Sequence, residues 1–112
     1  MNNDTKKRKV LRVLLVCGSG IVSSEMVAPR VEDILSELIN KNYVLSKGRI
    51  YDIERYASEG RIDVVLSTVA INSDMLSQTK VPIIIVTDLL MGKKERVTEA
   101  LKKVLLDRDN QT

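Results

Sequence analysis

The chain has 112 residues with 44% hydrophobic content, no histidine, one cysteine and a formal net charge of +3. The missing histidine and the lone cysteine exclude His-ligated zinc, Ser-His-Asp and Cys-His catalysis, an internal disulfide and a four-cysteine metal site within this chain. Aromatic residues make up only 3%, which disfavours proteins that stack nucleic-acid bases, so we expect no nucleic-acid partner.

The positive charge is concentrated at the start of the chain. The basic run at 6–9 outnumbers Asp4 by three, and the rest of the chain is neutral overall. Such a run at a chain end is typical of a solvated, disordered tail. It is too charged for a signal peptide, and no apolar stretch approaches the roughly 20 residues that span a bilayer. We expect a disordered basic tail over 1–9, one domain over 10–108, and a cytoplasmic protein that is not itself membrane-spanning.

The first predicted elements are a buried strand and a helix. Residues 10–16 are apolar almost throughout, as in a parallel strand covered on both faces. Apolar residues then recur at helical spacing over 24–40, with Ser23 or Ser24 as the predicted cap. Pro29 interrupts this pattern and costs about 3 kcal/mol inside a helix, so it predicts a kink or a later helix start.

The later segments alternate between strands and helices. In chain order they are a weak strand at 43–47, a helix at 50–58, a strand at 62–69, a helical turn capped by Ser73 at 73–78, a strand at 83–87, a loop at 88–92 and a helix at 93–106. This alternation is typical of a parallel sheet with right-handed crossovers. We predict an α/β fold, a Rossmann-like three-layer sandwich whose four-stranded open parallel sheet has strand order 2-1-3-4 and helices on both faces.

Open sheets of this kind bind ligands at the carboxyl ends of their strands. That edge would collect Cys17 with the loop that follows it, Ser67-Thr68, and Thr87-Asp88, which we expect to be loop residues or partner contacts. A lone cysteine is most often a small buried hydrophobe, but Gly18-Ser19-Gly20 and two further serines follow this one. A thiolate facing a helix N-terminus gains from the helix dipole and from free backbone N–H groups. The pattern therefore favours a nucleophilic thiol that handles phosphate.

Three known phosphate loops fit residues 17–24 poorly. The dinucleotide fingerprint needs a third glycine where Ser23 stands, and the nucleotide P-loop needs a Gly-Lys pair that is absent. A low-molecular-weight tyrosine phosphatase shares the layout, but it requires arginine six residues after the cysteine, again at Ser23. Without that bidentate cation, hydrolysis of a cysteinyl phosphate should be slow. A cysteinyl phosphate that hydrolyses slowly suits a protein that carries the phosphoryl group to another acceptor.

The sequence over 17–28, CGSGIVSSEMVA, resembles the enzyme IIB component of the bacterial phosphotransferase system, galactitol-type. Residues 49–56 and 63–68 are similar in kind and order and give supporting evidence. The resemblance implies that Cys17 accepts a phosphoryl group from a phosphohistidine of enzyme IIA. It would pass this group to a sugar or polyol, galactitol-like, imported by the membrane enzyme IIC, which makes the chain a protein-phosphocysteine–sugar phosphotransferase.

The resemblance also assigns the phosphate site. The phosphate-binding residues would be Gly18, Ser19, Gly20, Ile21, Val22, Ser23 and Ser24. No cofactor or metal is implied, and the protein would be peripherally associated with its membrane transporter. Two alternatives remain open: a phosphatase or arsenate reductase of related layout, and a regulatory module that senses phosphate or a partner without turnover. Covalent labelling that depends on Cys17 would distinguish the carrier from the module.

Overall fold

The computed structural model describes residues 10–17, 21–72, 74, 77 and 79–110, with side chains for all of these except 21–25 and 108–110. The elements in chain order are β1 (Leu11–Val16), α1 (Ile21–Ile39), β2 (Tyr43–Gly48), α2 (Ile50–Ser58), β3 (Val64–Ser67), β4 (Ile83–Ile85), a 3₁₀ helix (Thr87–Met91) and α3 (Glu95–Asn110). The predicted tail at 1–9 and the cap at Ser73 lie outside the described residues. Within the predicted turn at 73–78, Asp74 and Ser77 are helical.

The four strands form one sheet in the order β2-β1-β3-β4, and every neighbouring pair is parallel. The predicted fold class and strand order are therefore confirmed. β1 lies inside the sheet between β2 and β3. After β1 the chain forms β2 on one side of it, and then crosses to the other side to form β3 and β4. This makes the carboxyl end of β1 the point where the strand order reverses.

The two faces of the sheet hold two separate apolar cores. Leu11, Val13 and Leu15 point to one face, because alternate residues of a strand share a face, and they pack with α1 and α3. Leu14 and Val16 point to the other face and pack with α2. A strand that is buried on both faces has to be apolar throughout, which explains the composition of β1. Arg12 is the exception and pairs with Asp63 at the amino-terminal edge, with Nη2 3.1 Å from Oδ1.

Helix α1 differs from the prediction in two ways. It begins at Ile21 rather than near Ser24, and it continues through Pro29 to Ile39. The expected later start is therefore wrong. Val27, Val31 and Ile34 are completely or almost completely buried on one side of the helix, whereas Pro29 is on the exposed side. Burial of the apolar stripe holds the helix together across the position where the proline removes one hydrogen bond.

Strand and loop ends were predicted less well than the elements themselves. β3 ends at Ser67 because the Ser67 hydroxyl binds the backbone of Val69 and bends the chain there. The segment predicted as a loop at 88–92 contains most of the 3₁₀ helix, which ends at Gly92 with φ of 78°, a conformation that glycine adopts without strain. None of the helices in the described part of the chain is both long and apolar enough to cross a membrane.

Candidate active site

Cys17 directly follows β1 at the carboxyl edge of the sheet. Its thiol is free and half-buried, and the side chain packs against the core on the α1 and α3 face. The adjacent strand β3 extends to the same edge, since Val16 and Ser67 are register partners at the ends of their strands. Cys17 therefore lies at the topological switch point that the sequence predicted for the site.

The N-terminus of α1 lies four residues after Cys17. The backbone N–H groups of Ile21, Val22 and Ser23 fall in the first turn, where an α-helix provides no internal acceptor for them. The first turn also contains no acidic residue that would compensate the positive end of the helix dipole. The backbone at 21–23 is therefore suited to binding an anion beside Cys17.

The predicted capping role of Ser23 and Ser24 is wrong. An N-cap residue has a non-helical backbone, whereas both serines lie inside α1. Gly18, Ser19 and Gly20 lie outside the described residues. The part that these residues and the serine hydroxyls play in binding phosphate therefore stays a prediction.

Ser67 and Thr68 form the neighbouring wall of the site, at the end of β3. Ser67 is completely buried, and its hydroxyl donates to the carbonyl of Val69 at 2.7 Å and accepts the Val69 N–H at 3.1 Å. Thr68 is half-buried, and its backbone N–H donates to the carbonyl of Val16 at 3.0 Å. Sequence analysis placed both residues at this edge but gave them no role. The pairing register of β1 with β3, and the Thr68–Val16 hydrogen bond that extends it by one step toward Cys17, were not available from the sequence.

Asp88 and Arg96 connect the 3₁₀ helix to α3 at the same edge of the sheet. Nε and Nη2 of Arg96 donate to the two carboxylate oxygens of Asp88, both at 2.9 Å. The hydrogen bond from Arg96 is the main reason that the pKa of Asp88 is lowered. Asp88 is therefore not simply a loop residue, because it holds two elements together behind the site.

Several large apolar side chains are exposed near this edge. Met26 on α1 is 52% exposed, and Leu90 and Met91 on the 3₁₀ helix are 39% and 71% exposed. Leu89, in the same 3₁₀ helix, is buried in the core that α1 also lines. Residues 89–91 are thus divided between two environments, since Leu89 packs in the core and Leu90 and Met91 are exposed.

The geometry suits transfer of a phosphoryl group through the thiol. A half-buried free thiol precedes a helix whose first-turn N–H groups have no acceptor within the helix itself, and such groups can stabilise the negative charge of a bound phosphoryl group. Among the described residues, no group of three or more histidine, cysteine or acidic side chains is arranged to hold a metal ion.

Comparison with known proteins gives an independent view of this site. The family model described as "PTS system, Lactose/Cellobiose specific IIB subunit" matches residues 12–100. The ascorbate-specific PTS system EIIB component of Mycoplasma pneumoniae is 29% identical over 101 residues, which cover 88% of this chain and 99% of that protein. No solved structure matches significantly. The galactitol type is not confirmed, since these descriptions name other carbohydrates.

Proposed function

This chain belongs to the family of the lactose/cellobiose-specific IIB subunit of the phosphotransferase system, and on that premise we propose that Cys17 is the residue that carries the phosphoryl group. The observation that carries this proposal is the position of Cys17 between the end of β1 and the N-terminus of α1. Its neighbours at that edge are hydroxyl side chains and backbone groups. The chain has no histidine that could take the role instead.

Two transfers complete the proposed cycle. The Cys17 thiolate attacks the phosphorus of a phosphohistidine on enzyme IIA, so that an S–P bond forms while the N–P bond breaks and its electron pair returns to the imidazole. A hydroxyl of the imported sugar or polyol then attacks the same phosphorus. An O–P bond forms, the S–P bond breaks, the thiolate is regenerated and the hydroxyl proton leaves to solvent or a partner base. The N–H groups at 21–23 stabilise the phosphoryl oxygens in both transfers.

The proposed partners are enzyme IIA as donor and the membrane component IIC as the site of the acceptor. We propose a cytoplasmic protein that associates peripherally with this transporter. The acceptor is proposed only as a sugar or polyol, because its binding site would be on IIC rather than on this chain. The exposed apolar side chains of Met26, Leu90 and Met91 are candidates for contact with these partners.

Mass spectrometry tests the proposal directly. The protein is incubated with phosphoenolpyruvate, the general phosphotransferase proteins and a cognate enzyme IIA, and its intact mass is measured before peptide mapping under conditions that preserve phosphocysteine. We expect one phosphoryl group, located on Cys17.

The matched variant is Cys17→Ser, which changes one atom of a half-buried side chain and should leave the circular dichroism spectrum unchanged. We expect it to accept no phosphoryl group. Labelling of this variant at the wild-type rate would show that the phosphorylated residue is another one. Reversible phosphate binding without a covalent product, with a phosphorylated donor present, would favour the sensing module instead.

A further inference from the structure

Thr68 is the residue next to Cys17 across the end of the sheet. Val16 pairs with Ser67 in the parallel register, and the hydrogen bond from Thr68 N–H to the Val16 carbonyl, at 3.0 Å, continues the ladder by one step. The next pair in this register is Cys17 and Thr68. Neighbouring strands lie about 4.8 Å apart, and register partners share a face of the sheet. Thr68 is therefore within reach of a group bound to the cysteine.

The Thr68 hydroxyl makes a long hydrogen bond. Its oxygen lies 3.4 Å from the Val16 carbonyl oxygen, which already accepts the Thr68 N–H at 3.0 Å. Hydroxyl hydrogen bonds normally measure about 2.5–3.0 Å. The Thr98 hydroxyl, for comparison, lies 2.8 Å from the carbonyl of Lys94. The half-buried Thr68 hydroxyl is thus weakly held at a place where a better acceptor would attract it.

We propose that the Thr68 hydroxyl leaves the Val16 carbonyl and donates its hydrogen bond to an oxygen of the phosphoryl group on Cys17. This inference rests on the proposed function of Cys17. A hydrogen bond to a charged oxygen is shorter and stronger than one to a carbonyl, so the exchange is favourable when the phosphoryl group arrives. Thr68, which directly follows β3, would add a side-chain donor to the backbone donors of α1. The neighbouring Ser67 is not proposed as a donor to the phosphoryl group, because its hydroxyl already donates to the Val69 carbonyl and accepts the Val69 N–H.

The test compares Thr68→Val, which removes the hydroxyl at nearly constant shape, with Thr68→Ser, which keeps it. The readouts are the rate at which Cys17 is phosphorylated by enzyme IIA and the lifetime of the phosphocysteine. Removing a hydrogen bond to a charged group should slow phosphorylation of Thr68→Val about tenfold, while Thr68→Ser stays within about twofold of wild type. Thr98→Val is the matched control, since it removes a half-buried hydroxyl from α3, and should react at the wild-type rate.

Two further measurements separate this role from a structural one. Thermal unfolding and alkylation of the unphosphorylated thiol by iodoacetamide should be the same in Thr68→Val and wild type, because the proposed bond forms only with the phosphoryl group. Thr68→Ala, the second variant without a hydroxyl, should show the same slow phosphorylation if Thr68→Val folds poorly.

The outcomes distinguish the two proposals. If wild-type Cys17 is never phosphorylated by a competent donor, the proposed function and this inference both fail. If wild type is phosphorylated and the variants without the hydroxyl react equally fast, only the role of Thr68 is overturned. It is also overturned if Thr68→Ser is as slow as Thr68→Val, or if alkylation slows by the same factor as phosphorylation.

Discussion

Asp88 forms an ion pair whose contribution to stability should depend on pH. Hydrogen bonds from Arg96 hold the pKa of Asp88 below its ordinary value. A carboxyl group whose pKa is lowered by folding stabilises the protein above its unfolded-state pKa, and this contribution is lost as the pH falls through the folded-state pKa. We therefore expect Asp88→Asn to have a lower unfolding midpoint than wild type at pH 7, and a difference that shrinks progressively as the pH falls below about 4.

Thermal unfolding of both proteins at several pH values measures this difference. Asp107→Asn is the control, because it removes an exposed carboxylate near the other end of α3. A wild-type advantage that stays constant from pH 7 to pH 3 would contradict the assignment, since it would show that the charge of Asp88 is not what stabilises the pair.

At the scale of single residues, the sequence predicted the position of Cys17 at the carboxyl edge of the sheet better than it predicted its surroundings. Cys17 was identified because the end of an apolar run and a Gly-Ser-Gly loop are both local features. The Asp88–Arg96 pair and the place of Thr68 beside Cys17 were missed. Each depends on which elements become neighbours in the fold, and a single sequence contains no direct signal of that.

At the scale of elements, Pro29 tests how α1 is stabilised. It lies inside the helix on the exposed side, where its ring takes the place of an N–H that would bind the carbonyl of Glu25. Alanine is favoured over proline in a helix by about 3 kcal/mol, and loss of the rigid ring from the unfolded chain returns roughly 1 kcal/mol of this. We expect Pro29→Ala to raise the free energy of unfolding by about 2 kcal/mol.

Urea unfolding monitored by circular dichroism checks this expectation. Arg30→Ala, the next exposed position in α1, provides the control for a change of side chain without a change of backbone hydrogen bonding. A free energy that is unchanged or reduced in Pro29→Ala would mean that the proline's conformational restriction outweighs the hydrogen bond it removes.

The ends of the elements show why local signals are incomplete. The strand at β3 was predicted too long because Ile62 and Val69 are apolar, yet Ile62 and Val69 pack against the α2-side core from outside the ladder. Helix α1 begins at Ile21, earlier than a cap at Ser23 or Ser24 would place its start. Periodicity identifies an element, whereas tertiary contacts decide where it stops.

At the scale of the whole molecule, the order and parallel pairing of the strands were predictable from the sequence. Short apolar runs separated by amphipathic helices permit few other arrangements, because crossovers are right-handed and each helix has to cover a face of the sheet. The structure places α1 and α3 over one face and α2 over the other. Among the described residues, the single sheet therefore supports two separate buried clusters, one on each face.

Both cores share the strands of the sheet, so the last prediction is that the two cores unfold together. It also tests the proposal that residues 10–108 form one domain. Leu14 and Leu15 are adjacent in β1 and completely buried, but they belong to opposite cores. Truncating a buried leucine to alanine typically costs about 2–5 kcal/mol. We expect Leu14→Ala and Leu15→Ala each to destabilise both faces equally, because loss of either core releases the strands that the other core requires.

Two tyrosines provide a probe for each face, since Tyr43 packs against the α1 and α3 core and Tyr56 against the α2 core. Tyr51 is 78% exposed, so replacing it with phenylalanine removes a background signal at little structural cost. Replacing one of the two remaining tyrosines with phenylalanine as well leaves only Tyr43 or only Tyr56 as the fluorescent probe. The urea midpoints reported by the two probes should coincide, both in the wild-type background and in each leucine variant. If Leu14→Ala moved only the Tyr56 transition, the two cores would unfold separately and the chain would not behave as one cooperative unit.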